Sequence, residues 1–190
     1  MSVNHMIWRL FRPRPRDRSI GELYGAIVAQ ARLPGFYSTY GVPDTVEGRF
    51  DLIVLHLVLV IERLGGDGTA AGGIAQELFD VFCRDLDDNL REMGVGDLAV
   101  PKRMRAFGEA FYGRQAAYLA AFAAADEQEL EKALRRNIFA DADVGGGAAR
   151  LARYVRAARR RLEGQGDSAL LRGEVVFPHP DSIVGAIVHV

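Results

Sequence analysis

The sequence predicts an all-α protein, a single helical bundle of about six helices with irregular N- and C-terminal tails. Apolar residues recur at steps of three and four through six separate segments. Glycine, proline and capping residues fall between those segments. The chain has 190 residues, of which 49% are hydrophobic, enough to bury one real core and too short for two comfortable domains.

Residues 1–18 read as a basic flexible tail. Arg9, Arg12, Arg14, Arg16 and Arg18 oppose only Asp17, and Pro13 and Pro15 forbid a continuous helix. Met6, Ile7, Trp8, Leu10 and Phe11 give this tail an apolar edge. The helical domain is expected over 19–164. Ser19 and Glu22 have the spacing of a capping box, and Leu23, Ile27 and Val28 then share one face. That helix should stop before Pro34, because the residue ahead of a proline is pushed out of the α region. Residues 34–44 hold Phe36, Tyr37 and Tyr40 among glycines and prolines and read as an ordered loop whose rings pack down.

Thr45 is positioned to cap a second helix reaching about residue 64. Val46, Phe50, Ile53, Val54, Leu57 and Ile61 form one stripe, while Leu52, Leu55, Leu59 and Val60 fill much of the remainder. A helix apolar on most sides belongs in the middle of a bundle. A third helix over about 69–93 carries Ile74, Leu78, Phe82, Leu86, Leu90 and Met93, with Gly94 placed to close it. Pro101 opens a fourth, to about residue 125, with Met104, Phe107, Phe111, Tyr118 and Phe122 in its stripe. Asp126 and Glu129 suggest a second capping box and a fifth helix to about 139. A sixth spans about 148–162. Residues 165–190 are an extension with Pro178 and Pro180 around β-rich pieces. A short hairpin and a segment lying across the bundle both remain open there.

The search for chemistry is mostly negative. The chain carries no phosphate loop, no nucleophile elbow and no His-Glu-x-x-His, and Cys83 is its one cysteine. Cys83 sits in an apolar pattern and reads as a small hydrophobe. His56 is the one histidine in a firmly predicted helix and reads as a core residue hydrogen-bonded to a neighbour. The run from Arg84 to Glu92 sets Asp85, Asp88 and Glu92 on one helical face, where magnesium and a diphosphate are geometrically conceivable. The same run offers the pairs Arg84–Asp88 and Asp87–Arg91, which explain it as a solvated, ion-paired surface. No motif supports specific DNA readout. Neither a secretory signal nor a spanning segment is read, and a cytoplasmic location with peripheral contact at the inner membrane is expected.

Two basic groups are candidates for phosphate or lipid. One is Arg49, Lys102, Arg103 and Arg105, with Arg114 nearby. The other is the sixth helix, with Arg150, Arg153, Arg156, Arg159, Arg160 and Arg161 against Glu163.

Two stretches closely resemble the bacterial ubiquinol–cytochrome c chaperone family: GVPDTVEGRFDLIVLHLVLVIERL (41–64) and AQELFDVFCRDLDDNLREMGVGDLAVPKRMRAFGEAFYGRQAAY (75–118). LYGAIVAQARLPGFY (23–37) fits its border, and the likeness covers about 20–140. The strings REMGVGDLAVPKR and EAFYGR make it specific. The resemblance implies a helical, non-enzymatic assembly factor for the cytochrome bc1 complex, with no cofactor and newly made cytochrome b as client. It also implies contact with the ribosome exit region and a small partner subunit. A helical groove lined by aromatics would suit an apolar client segment, and Phe36, Tyr37, Tyr40, Phe111, Tyr112 and Tyr118 are the candidate lining. The alternatives are a magnesium-dependent helical enzyme on an isoprenoid or quinone precursor, acting through Asp85, Asp88 and Glu92, and a lipid or quinone carrier.

Overall fold

The computed structural model describes residues 15–65, 70–143 and 145–185. The tail residues 1–14, most of the glycine-rich break at 65–68 and the last β-rich piece beyond 185 lie outside them. Six helices of eleven residues or more make the bundle: α1 Pro15–Ala31, α3 Val46–Leu64, α4 Ala70–Glu92, α5 Val100–Ala123, α6 Gln128–Ile138 and α7 Gly147–Glu163. Three short turns of helix join them: α2 Gly35–Ser38, α8 Asp167–Leu171 and α9 Pro180–Gly185. Among the described residues there is no strand, and no helix is long and apolar enough to cross a membrane.

The centre is α3, which packs against α1, α4, α5, α6 and α7. Leu52, Val54, Leu55, Leu57, Val58, Leu59 and Val60 are all buried, so the helix that reads as apolar on most sides is enclosed on most sides. Its entry is fixed as the sequence implies: the Thr45 hydroxyl accepts from the Gly48 amide at 3.1 Å. At the far end of α4 the Gly94 amide donates to the Arg91 carbonyl and the Val95 amide to the Leu90 carbonyl, at 2.9 and 3.0 Å. Gly94 sits at φ +77°, the left-handed conformation that this cap requires.

Several local expectations are overturned. Helix α1 begins at Pro15, so Arg16 and Arg18 belong to it and not to a tail. Proline breaks a helix interior but suits its first turn, where the missing N–H has no partner to lose. Ser19 is therefore an interior helical residue rather than the helix's first cap, and Glu22 takes the Arg18 guanidinium at 2.9 Å. Residues 35–38, read as loop, form a helical turn. Helix α6 starts at Gln128. The Asp126 carboxylate does accept from the Gln128 amide at 2.8 Å, but Glu129 turns outward to Lys132 and completes no box. Met93 leaves the buried stripe of α4 and is 70% exposed.

The C-terminal segment lies across the bundle. Leu170 is buried, and Val175, Phe177 and Ile183 pack on the core. The Gln165 side chain holds the segment at both ends of its amide, accepting from the Val176 amide at 2.8 Å and donating to the Val176 carbonyl at 2.9 Å.

Candidate functional site

The interior polar chemistry gathers at one place, where α1, α3, α7 and the C-terminal segment meet. His56, fully buried on α3, has its Nδ1 at 2.7 Å from the Leu52 carbonyl and its Nε2 at 2.8 Å from the Tyr154 hydroxyl. A carbonyl only accepts, so Nδ1 carries the proton and Nε2 accepts from Tyr154. The Gln30 amide then donates to the Tyr154 oxygen at 3.0 Å and to the Pro178 carbonyl at 2.9 Å. The ring of Phe36 meets His56 and Tyr154 edge-on, and Phe177 closes the other side of His56. Burial pushes the imidazole down to about 4, so it is neutral at physiological pH. The core-histidine reading holds, and every polar atom of the chain Gln30–Tyr154–His56–Leu52 serves packing.

A second buried polar pair lies between α3 and α5. Asp51 forms an ion pair with the Arg114 guanidinium at 2.7 Å, with the carboxylate almost wholly enclosed. Burial pushes Asp51 up to about 6 against the pull of Arg114. The guanidinium also lies over the Phe50 ring. Arg114, read from sequence as a surface cation, is a structural partner.

The six candidate aromatics divide. Phe36, Tyr40, Phe111 and Tyr118 are buried to 1% exposure or less, so a client could touch them only by opening the core. Tyr40 uses its hydroxyl to donate to the Pro180 carbonyl at 2.8 Å. Tyr37 and Tyr112 reach the surface, in two different grooves. Tyr37 lies with Arg32, Pro34, Ser38, Asp44 and Arg49 in a cleft of about 540 Å³. Tyr112 lies with Ile61, Ala75, Phe79 and Gln115 in a groove of about 310 Å³ between α3, α4 and α5. Period alone could not separate these sets, because buried and half-buried rings occupy the same turns of helix.

The acidic run faces water. Asp85, Asp88 and Glu92 are exposed. Asp85 accepts from the Tyr24 hydroxyl at 2.8 Å, and Asp87 takes Arg91 at 2.6 Å. The expected Arg84–Asp88 pair does not form; Arg84 reaches back toward the Asp80 carbonyl instead. Among the described residues no three histidine, cysteine or carboxylate ligands converge on one point. Cys83 is half-buried against the core with its thiol pushed up by burial.

The basic candidates also divide. Arg150 and Arg156 donate to the Gly145 and Glu127 carbonyls at 2.6 Å each, and Arg159 joins Glu62 at 2.7 Å beneath the Phe122 ring. Arg156 and Arg159 thus tie α7 to its neighbours and Arg150 closes on the turn ahead of its own helix, leaving Arg153, Arg160 and Arg161 exposed. Arg49 is exposed but neutralised by Asp44 at 2.7 Å. Lys102, Arg103 and Arg105 are exposed in the opening turns of α5. The turn just ahead of them holds what the sequence did not flag: Leu98, 99% exposed, in the same turn as Met93 at 70%. Its one sequence signal is a leucine placed in a Gly- and Asp-containing turn, off every helical stripe.

Comparison with known proteins gives these features a context. The family model described as ubiquinol-cytochrome C chaperone matches residues 38–177, further toward the C-terminus than the resemblance at 20–140 reached. It thereby takes in α7 and Phe177, the two sides of the His56 site. The chain is 26% identical over 157 residues to ubiquinol-cytochrome-c reductase complex assembly factor 1 of Xenopus laevis, across 82% of this chain and 78% of that protein. The fold superposes on the crystal structure of the Cbp3 homolog from Brucella abortus with a TM-score of 0.80 and 38% identity, covering 95% of this chain and 98% of that one. The family model spans well over half of the chain and a solved homolog shares its fold nearly end to end, so the chain belongs to the ubiquinol–cytochrome c chaperone family.

Proposed function

We propose that this protein is a non-catalytic assembly chaperone for the ubiquinol–cytochrome c reductase complex, and that its client is newly made cytochrome b. The observation that carries the reading is the likeness to a complex assembly factor and to a solved homolog over nearly the whole bundle, core and C-terminal segment included. The interior supports it, since the His56 and Tyr154 polar atoms are spent on each other, on Gln30 and on the Leu52 carbonyl. The groove lined by Ile61, Phe79, Tyr112 and Gln115 is the surface we assign to a client segment. An aromatic-edged cleft between helices suits such a segment.

Affinity capture from cells tests this. Cytochrome b co-purifies with wild type, and Tyr112→Glu, at an exposed position, lowers its yield without changing the fold. Deletion of the gene lowers assembled complex. A deletion strain with normal complex content, under conditions that require the complex, would end the proposal. Contact with the ribosome exit region and a small partner subunit are extensions of the same reading, and the same capture would reveal them.

A further inference from the structure

The α4–α5 turn, residues 93–99, is built as a stiff protrusion. Both its ends are hydrogen-bonded: the Gly94 and Val95 amides close α4, and the Ala99 and Val100 amides return to the Gly96 carbonyl at 2.8 and 3.2 Å. Arg91 spans the turn, holding Asp87 and Asp97 at 2.6 Å each. Leu90 and Val100, on either side of the turn, are buried and lie outside the main apolar cluster. On this frame Leu98 is 99% and Met93 70% exposed. An ordered turn that presents two large apolar side chains gains nothing from them in the isolated molecule.

The charge beside them is equally unexplained by folding. Lys102, Arg103 and Arg105 stand in the opening turns of α5, which has no acidic residue in its first turn. Cations there oppose the helix dipole. All three are exposed, and among the described residues none forms an ion pair. From residue 91 to 105 four cations face two carboxylates, and one of these, Asp97, is already held by Arg91.

We propose that the α4–α5 tip docks on an anionic lipid bilayer, with Met93 and Leu98 entering the interface and Lys102, Arg103 and Arg105 meeting the head groups. The composition favours a bilayer over a protein partner. Residues 93–105 hold no aromatic anchor, whereas protein hot spots are rich in Trp and Tyr. Apolar insertion and a few basic residues are the two weak signals that together give reversible membrane binding. Glu92, exposed next to Met93, and Asp88 one turn behind it keep the docking shallow. The inference stands independently of which client the protein carries.

The test is co-sedimentation of the full chain with vesicles of phosphatidylcholine alone or mixed with phosphatidylglycerol, at low and high salt. Wild type is expected to bind the anionic vesicles and release them in salt. Met93→Ser with Leu98→Ser should weaken that binding about tenfold or more. Lys102→Glu, Arg103→Glu and Arg105→Glu together should abolish the anionic preference. All five positions are exposed, so circular dichroism and thermal midpoints should match wild type. Wild type with no preference for anionic vesicles overturns the proposal, as do variants that bind like wild type. Variants that keep vesicle binding but lose captured cytochrome b also overturn it and reassign the tip to a protein. The vesicles contain no client, so failure here leaves the assembly-chaperone reading untouched.

Discussion

The His56 imidazole on α3 and the Tyr154 hydroxyl on α7 meet at 2.8 Å in the closed centre of the bundle, joining residues 98 apart in sequence. The hydroxyl is a bridge: it accepts from Gln30 on α1 and donates to His56. Tyr154→Phe keeps the ring and its edge contacts with Phe36, but leaves a buried acceptor on His56 and an amide donor on Gln30 short of a partner. The expected cost is about 1–3 kcal/mol, read as a lowered urea midpoint with an unchanged slope. A variant as stable as wild type would show that the bridge contributes nothing.

His56 and Asp51 should pull stability in opposite directions with pH. Burial lowers the histidine from 6.5 to about 4, so its contribution is present above pH 6.5 and lost as pH falls through about 4. Burial raises the aspartate from 3.8 to about 6, so its contribution is present below pH 3.8 and lost as pH rises through about 6. Between roughly pH 4 and 6 the two slopes oppose, each at most about 1.4 kcal/mol per pH unit. Relative to wild type, Asp51→Asn should lose stability on acidification through that window, and His56→Phe should gain it. Urea titrations at a series of pH values check this, and parallel profiles for all three proteins would refute it.

Gly173 is where the C-terminal segment closes on α1. It sits at φ +85°, and a Cβ placed there would lie 2.3 Å from the Ser19 carbonyl oxygen. Gly173→Ala meets both a strained backbone and a wall of main chain, and should cost about 2 kcal/mol or more locally. Amide exchange at Val176, whose N–H is held by Gln165, should then quicken far more than exchange in α3. Equal protection in variant and wild type would argue that the segment is not anchored there.

The exposed carboxylates of α4 should prove dispensable for chemistry. Asp85→Asn with Asp88→Asn and Glu92→Gln retains an acceptor for Tyr24, so stability should shift by no more than about 1 kcal/mol. Levels of assembled complex should equal wild type, and added magnesium should leave the thermal midpoint of either protein unchanged. Loss of the complex in a well-folded triple variant would restore the magnesium-enzyme reading.

What could be read in advance followed from periodicity and punctuation. The run 52–60 is apolar on most sides, and such a helix belongs in the middle. Thr45 opened and Gly94 closed the helices they were expected to bound, because each satisfies backbone groups that a helix end leaves orphaned. Pro15 and Ser19 misled, since a start signal states only that a helix could begin there; packing of α1 on α3 and α4 chose an earlier turn.

The sequence by itself determined six amphipathic or wholly apolar helices and their order, because hydrophobic period is a property of neighbouring residues. Only the tertiary structure decided which aromatics are core and which are surface. It also decided which arginines of α7 are consumed by Glu62 and backbone carbonyls, and that Leu98 stands alone in water. Those facts depend on residues far away in the chain coming within a few ångströms, and no local spacing encodes them.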